Sequence, residues 1–132
     1  MRILMVNLTN WGGMSGGAQH QLGLLNAFRD RGHAVRMLTT SLGGLAALPS
    51  EAAVHARAAR SLGAFGLPAG FDTLAQLPGL MAEITTFRPD VVYSRTNALT
   101  VALAAVCRLI GVPVVLEHNS WLESQRLVES FA

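Results

Sequence analysis

The chain has 132 residues, with ten arginines, no lysine, eight acidic residues and a formal net charge of +2. That length accommodates one domain with a real core and not two, since single domains commonly run to roughly 100–200 residues. Hydrophobic residues make up 51% and charged residues only 14%, so part of the surface is expected to be covered. The arginines are scattered and do not interleave with aromatics, which excludes a nucleic-acid stripe.

The single cysteine, Cys107, has no partner for an intrachain disulfide and lies in an apolar helical run. It reads as a small buried hydrophobe in a reducing compartment. Met1 leads straight into a strand pattern with no charged n-region or cleavage site, so a cytoplasmic location is expected. Between Ala98 and Leu116 only Arg108 is charged. Gly111 and Pro113 break that stretch into a helix and a strand, so it does not read as a membrane span.

In chain order, Ile3-Leu4-Met5-Val6 is a continuous apolar run, as expected of a parallel strand covered on both faces. Ala18, Leu22, Leu25 and Phe28 then recur at helical spacing up to Arg31, and Gly32 supplies a left-handed stop. Ala34 to Thr39 reads as a second strand and completes a βαβ unit, which closes right-handed and sets the two strands parallel. Residues 41 to 71 carry no clear period, and only Ala53-Val54-His55 hints at a short strand. Leu62, Phe65, Leu67 and Phe71 near Arg57 and Arg60 read either as a loop folded back on the core or as a lipid-facing patch.

Asp72 can cap a helix that runs to Phe87, with Pro78 kinking or restarting it, and Arg88-Pro89-Asp90 ends it. Val91-Val92-Tyr93 forms the next strand, followed by Ser94 to Asn97 and a second long helix from Ala98. That helix is apolar nearly all round, which implies burial by more than its own sheet. Val112 to Leu116 is the last strand, delivering Glu117, His118 and Asn119, and Trp121 to Val128 begins another helix. The pattern as a whole is an open parallel α/β sheet.

The stretch Asn7 to Ala18 joins the first strand to the first helix through Gly12, Gly13, Gly16 and Gly17. Such a turn lets backbone approach a ligand, and the free N–H groups of the helix start suit a phosphate. The same glycines also read as a plain tight turn. They match neither G-x-G-x-x-G nor a P-loop, and a chain without lysine has neither a P-loop lysine nor a lysine Schiff base. In open parallel sheets ligands bind beyond the C-terminal strand ends, where Asn7, Thr9, Asn10, Ser94, Arg95, Asn97, Glu117, His118 and Asn119 gather. His118 is a candidate by that location, on the strand face of Val114 and Leu116, with Glu117 and Asn119 on the other. His20 on a helix, His33 in a turn and His55 read as structural or solvated.

Together, Met1-Arg-Ile-Leu-Met-Val-Asn, Gly16-Gly-Ala-Gln, Arg31-Gly-His-Ala-Val, Arg88-Pro-Asp-Val-Val-Tyr, Gly111-Val-Pro-Val-Val and Leu116-Glu-His-Asn resemble the retaining, GT-B-type glycosyltransferases of the family 4 (group 1) kind. That group includes many bacterial enzymes of polysaccharide and lipid-sugar synthesis. The resemblance covers nearly the whole chain outside residues 41 to 71. It implies that residues 1–132 are the N-terminal, acceptor-side half of a two-domain enzyme: a Rossmann-like open parallel sheet with helices on both faces. It further implies a C-terminal donor-binding half that these residues do not include.

By the same resemblance, the enzyme transfers a sugar from a nucleotide-sugar to a sugar or lipid-linked acceptor with retention, using no metal and no cofactor. Gly12, Gly13, Gly16 and Gly17 are expected to face the donor diphosphate, and His118, the catalytic candidate, to lie near the transferred sugar. Asn10, Arg95, Asn97, Glu117, Asn119 and Glu123 are expected at the cleft, and Gln19 stands where many members carry Glu. The resemblance also implies that this half alone is inactive, with peripheral association at the inner membrane face, and the apolar helix after Asn97 implies that the isolated chain exposes apolar surface and self-associates. The competing reading is a non-catalytic, flavodoxin-like binding or regulatory module. That module normally carries acidic residues right after the first strand, and Asn7-Leu8-Thr9-Asn10 offers none.

Overall fold

The structure is a computed structural model that describes residues 1–8, 16–40, 53–56, 77–95 and 100–117. In chain order the elements are β1 (Arg2–Leu8), α1 (Gly16–Asp30), β2 (Ala34–Thr40), β3 (Ala53–Ala56), α2 (Leu77–Phe87), β4 (Val91–Arg95), α3 (Thr100–Leu109) and β5 (Val114–Glu117). All strand pairs are parallel, and the five strands lie in the order β3-β2-β1-β4-β5. The expected Rossmann-like α/β sheet is what forms, and the faint strand signal at Ala53 is β3.

Strand periodicity sorts the core into two layers. Ile3 and Met5 of β1 join Val35 and Met37 of β2 under Ala18 and Leu25 of α1, with Phe28 and Tyr93 packed alongside. The alternate residues Leu4 and Val6 face the other way and meet Leu38, Leu80 of α2, Val92, and Leu103 and Cys107 of α3. β1 is apolar at every position from Ile3 to Val6 because α1 covers one of its faces and α2 and α3 the other. Burying each such aliphatic side chain is worth about 1.5–3 kcal/mol.

The helix ends follow the glycines. At α1, Gly32 (φ +80°) donates its N–H to the Arg29 carbonyl at 2.8 Å, and His33 donates to Phe28 at 3.1 Å. At α3, Gly111 (φ +75°) donates to Arg108 at 3.2 Å and Val112 to Cys107 at 2.9 Å. Both are Schellman closures. α2 ends differently: the left-handed residue is Arg88 (φ 51°), whose N–H reaches Ile84 at 3.1 Å. Pro89 follows and has no N–H for a second closing bond. Arg88→Gly is therefore expected to raise stability by roughly 1 kcal/mol, and Gly32→Ala to lower it by about as much. Denaturant titration of the two variants checks the opposite signs.

Three expectations shift in detail. Pro78 is the second residue of α2, where a missing N–H costs nothing, so it starts this helix rather than kinking it. β4 runs on through Ser94 and Arg95, and β5 through Glu117, which places those side chains on the sheet itself. The expected all-round burial of the second long helix does not hold for α3. Leu103 and Cys107 are buried, but Leu109 is 87% exposed and Ile110, next in the chain, is exposed as well, and among the described residues α3 is covered only on its sheet side. No helix among the described residues is long and apolar enough to cross a membrane.

At the N-terminal strand edge, the Arg2 backbone N–H donates to Asp90 at 2.7 Å and its guanidinium donates to the other carboxylate oxygen at 3.2 Å. The Asp90 N–H in turn donates to the Arg2 carbonyl at 2.8 Å. These contacts align the start of β1 with the start of β4.

Candidate functional site

β1 is followed by α1 and then β2 on one side, while β4 lies on its other side. The strand order therefore reverses between β1 and β4, and ligands of such sheets bind beyond the strand ends at that point. α1 opens there with Gly16 exposed, Gly17 half-buried and Ala18 buried. A Cβ placed on Gly16 would meet nothing within 4 Å, and its φ is not in the left-handed range. The described fold places no demand for glycine at this position.

On the α1 side of the sheet, three side chains from three elements come together. Tyr93 of β4 donates its hydroxyl proton to Glu117 of β5. Nε2 of His20, one turn into α1, lies 2.9 Å from one Glu117 oxygen and 3.1 Å from the other. Period two accounts for the grouping. Tyr93 and Val115 are register partners, and Glu117 is two residues beyond Val115 on the same face. Gln21, fully buried, belongs to the stripe of Ala18 and Leu25 that seats α1 on the sheet.

The electrostatics follow from these contacts. Burial raises the Glu117 pKa, but the hydrogen bonds from Tyr93 and His20 and the nearby Arg95 outweigh it, and the carboxyl ends up below its ordinary value. Burial, then the hydrogen bond to Glu117 and its charge, push the Tyr93 phenol well above its usual range, so it stays protonated and a donor. A depressed folded pKa contributes stability above the unfolded value, and that contribution is lost as pH falls through the folded one. Asp90 adds the same sign, its carboxyl lowered by the Arg2 backbone and side-chain bonds. Stability should therefore decline below roughly pH 4.3, and Glu117→Gln should flatten that decline. Thermal melts across pH 3 to 7 check this.

Of the residues expected at the site, the structure places Gly16 and Gly17 at the start of α1, Arg95 at the end of β4 and Glu117 at the end of β5. Arg95 and Glu117 are register partners. Asn10, Gly12, Gly13, Asn97, His118, Asn119 and Glu123 lie outside the described residues. His20, read as structural or solvated, is half-exposed and pairs with Glu117. The signal that could have found it is spacing, four residues after Gly16 and next to the buried stripe at Gln21. No group of three or more His, Cys, Asp or Glu among the described residues could hold a metal ion. An apolar groove of about 410 Å³, lined by Ala104, Arg108, Gly111, Val112, Pro113 and Val114, sits at the start of β5, the far end from Glu117.

The model of Glycosyltransferase Family 4 matches residues 14–131. No curated protein sequence gives a significant match. Among solved structures the chain is similar to MurG of Acinetobacter baumannii, with 18% identity and a TM-score of 0.62. The match covers 89% of this chain and 35% of that one, so the chain spans about a third of the MurG chain's length. At that identity the likeness carries the fold, which is the Rossmann-like α/β sheet described above.

Proposed function

Because the chain belongs to Glycosyltransferase Family 4, we propose that it is the acceptor-side half of an enzyme that moves a sugar from a nucleotide-sugar to a sugar or lipid-linked acceptor with retention. A second, donor-binding half completes the site, and no metal takes part. The enzyme works at the cytoplasmic face of the membrane. In this reading the glycine turn faces the donor diphosphate, His118 positions the transferred sugar, and Asn10, Arg95, Asn97, Glu117, Asn119 and Glu123 border the cleft.

The observation that carries the reading is Gly16. It opens a helix at the point where the strand order reverses, with open space where a side chain would be. That open space would let a ligand approach the backbone, and the partial positive charge of a helix start favours an anion.

The test uses the enzyme with both halves. Gly16→Ala is expected to leave the melting temperature within a degree or so, since a helix start tolerates alanine. Transfer from nucleotide-sugar should fall about tenfold for each 1.4 kcal/mol of lost transition-state contact. Unchanged transfer would overturn the donor-facing role of the turn, and the product's anomeric configuration by NMR decides retention against inversion.

A further inference from the structure

The line Tyr93–Glu117–His20 runs from the sheet outward. Tyr93 packs against the core of α1, the Glu117 side chain is 25% exposed and that of His20 46%. Exposed ion pairs of this kind contribute little to stability. What the arrangement does fix is the imidazole. Glu117, ionised and already accepting the Tyr93 proton, has only lone pairs to offer, so Nε2 of His20 carries the hydrogen. A neutral ring with hydrogen on Nε2 presents Nδ1 as an acceptor. Both contacts of His20 with Glu117 run through Nε2, and Nδ1 is the ring's remaining acceptor.

A carboxylate on one ring nitrogen that orients the other toward a substrate is a recurrent design. Here it sits on α1 next to the strand ends, at the outer limit of the candidate site. We propose that Nδ1 of His20 is a binding point for a hydroxyl group of the acceptor, a sugar or another polyol, and that Glu117 and Tyr93 are its positioning residues. The contact is a hydrogen bond from the hydroxyl to the ring, with no proton transferred. This inference rests on the acceptor-side reading given above, and it adds the residue that reads the acceptor and the chemistry it selects.

The experiment is long-range proton–nitrogen NMR of the histidine rings in the chain, recorded with the ring neutral and titrated with methyl α-glucoside. The expected spectrum has the His20 hydrogen on Nε2 alone, and its Nδ1 resonance moves as the glucoside is added. Glu117→Gln should admit the second tautomer, because an amide can donate to Nε2, and should abolish the Nδ1 response. Tyr93→Phe should weaken that response with the backbone amide spectrum otherwise unchanged. A wild-type ring with hydrogen on Nδ1, or a response that survives Glu117→Gln, would overturn the proposal. If the Gly17 and Arg95 amides move with glucoside while Nδ1 does not, the acceptor-side reading stands and the role of His20 falls. If neither moves, the role of His20 falls, and sugar transfer by the enzyme with both halves decides the acceptor-side reading separately.

Discussion

Leu25→Ala is expected to destabilise the domain by about 3 kcal/mol, within the 2–5 kcal/mol range of Leu→Ala changes in tight cores. Leu25 is fully buried in the middle of α1, against Ile3 and Met5 of β1 and Val35 and Met37 of β2. α1 is the only described helix on its face of the sheet, and Leu25 is held there between strand side chains of the tightly packed core. A small domain has a total stability of roughly 5–15 kcal/mol, so this single change removes a large fraction of it. The same helix carries Gly16, Gly17 and His20, so loosening it should also weaken any ligand held at the strand ends. Urea unfolding gives the stability change as a lower midpoint at an unchanged slope. A loss under 1 kcal/mol would mean that α1 is not the anchor of this face.

Much of this arrangement can be read directly in the residues. The unbroken run Ile3 to Val6 demands cover on two faces, and the structure supplies it. Gly32 ends α1 as expected, and Cys107 is fully buried. The strand-end position of Arg95 and Glu117 follows from the parallel pattern alone. Harder to see was the partner of Glu117. A histidine on a helix surface has no period of its own, and the contact of His20 with Glu117 spans 97 residues, so it depends on how α1 is rotated on the sheet. That rotation is set by Ala18, Gln21 and Leu25, and Gln21 is a polar residue in a buried stripe, which a hydrophobic count passes over. The all-round apolar pattern of α3 misled for the opposite reason. It reports what a helix could bury, while actual burial depends on neighbours, and Leu109 has few among the described residues.

The other large effect lies on the far face, where Arg36 of β2 meets Glu83 of α2. Glu83 is only 7% exposed, and the Arg36 guanidinium donates to it at 3.2 Å while lying 4.6 Å from the centre of the Phe87 ring. Arg36 alternates with Val35 and Met37, so the period that buries those two on the α1 side turns this charge toward α2. Arg36→Ala takes the cation and its stacking away from a nearly buried carboxylate. It should cost about 3 kcal/mol, the lower end of what breaking such pairs costs. Replacing both, Arg36→Leu with Glu83→Leu, removes the two desolvated charges together. The double variant should lie within about 1 kcal/mol of the parent or above it, because paired apolar residues commonly match a buried ion pair. Chemical denaturation of the single and double variants forms a cycle whose coupling term isolates the pair. A double variant as unstable as Arg36→Ala would show that the contact acts through the shape of the arginine on Phe87 and not through charge.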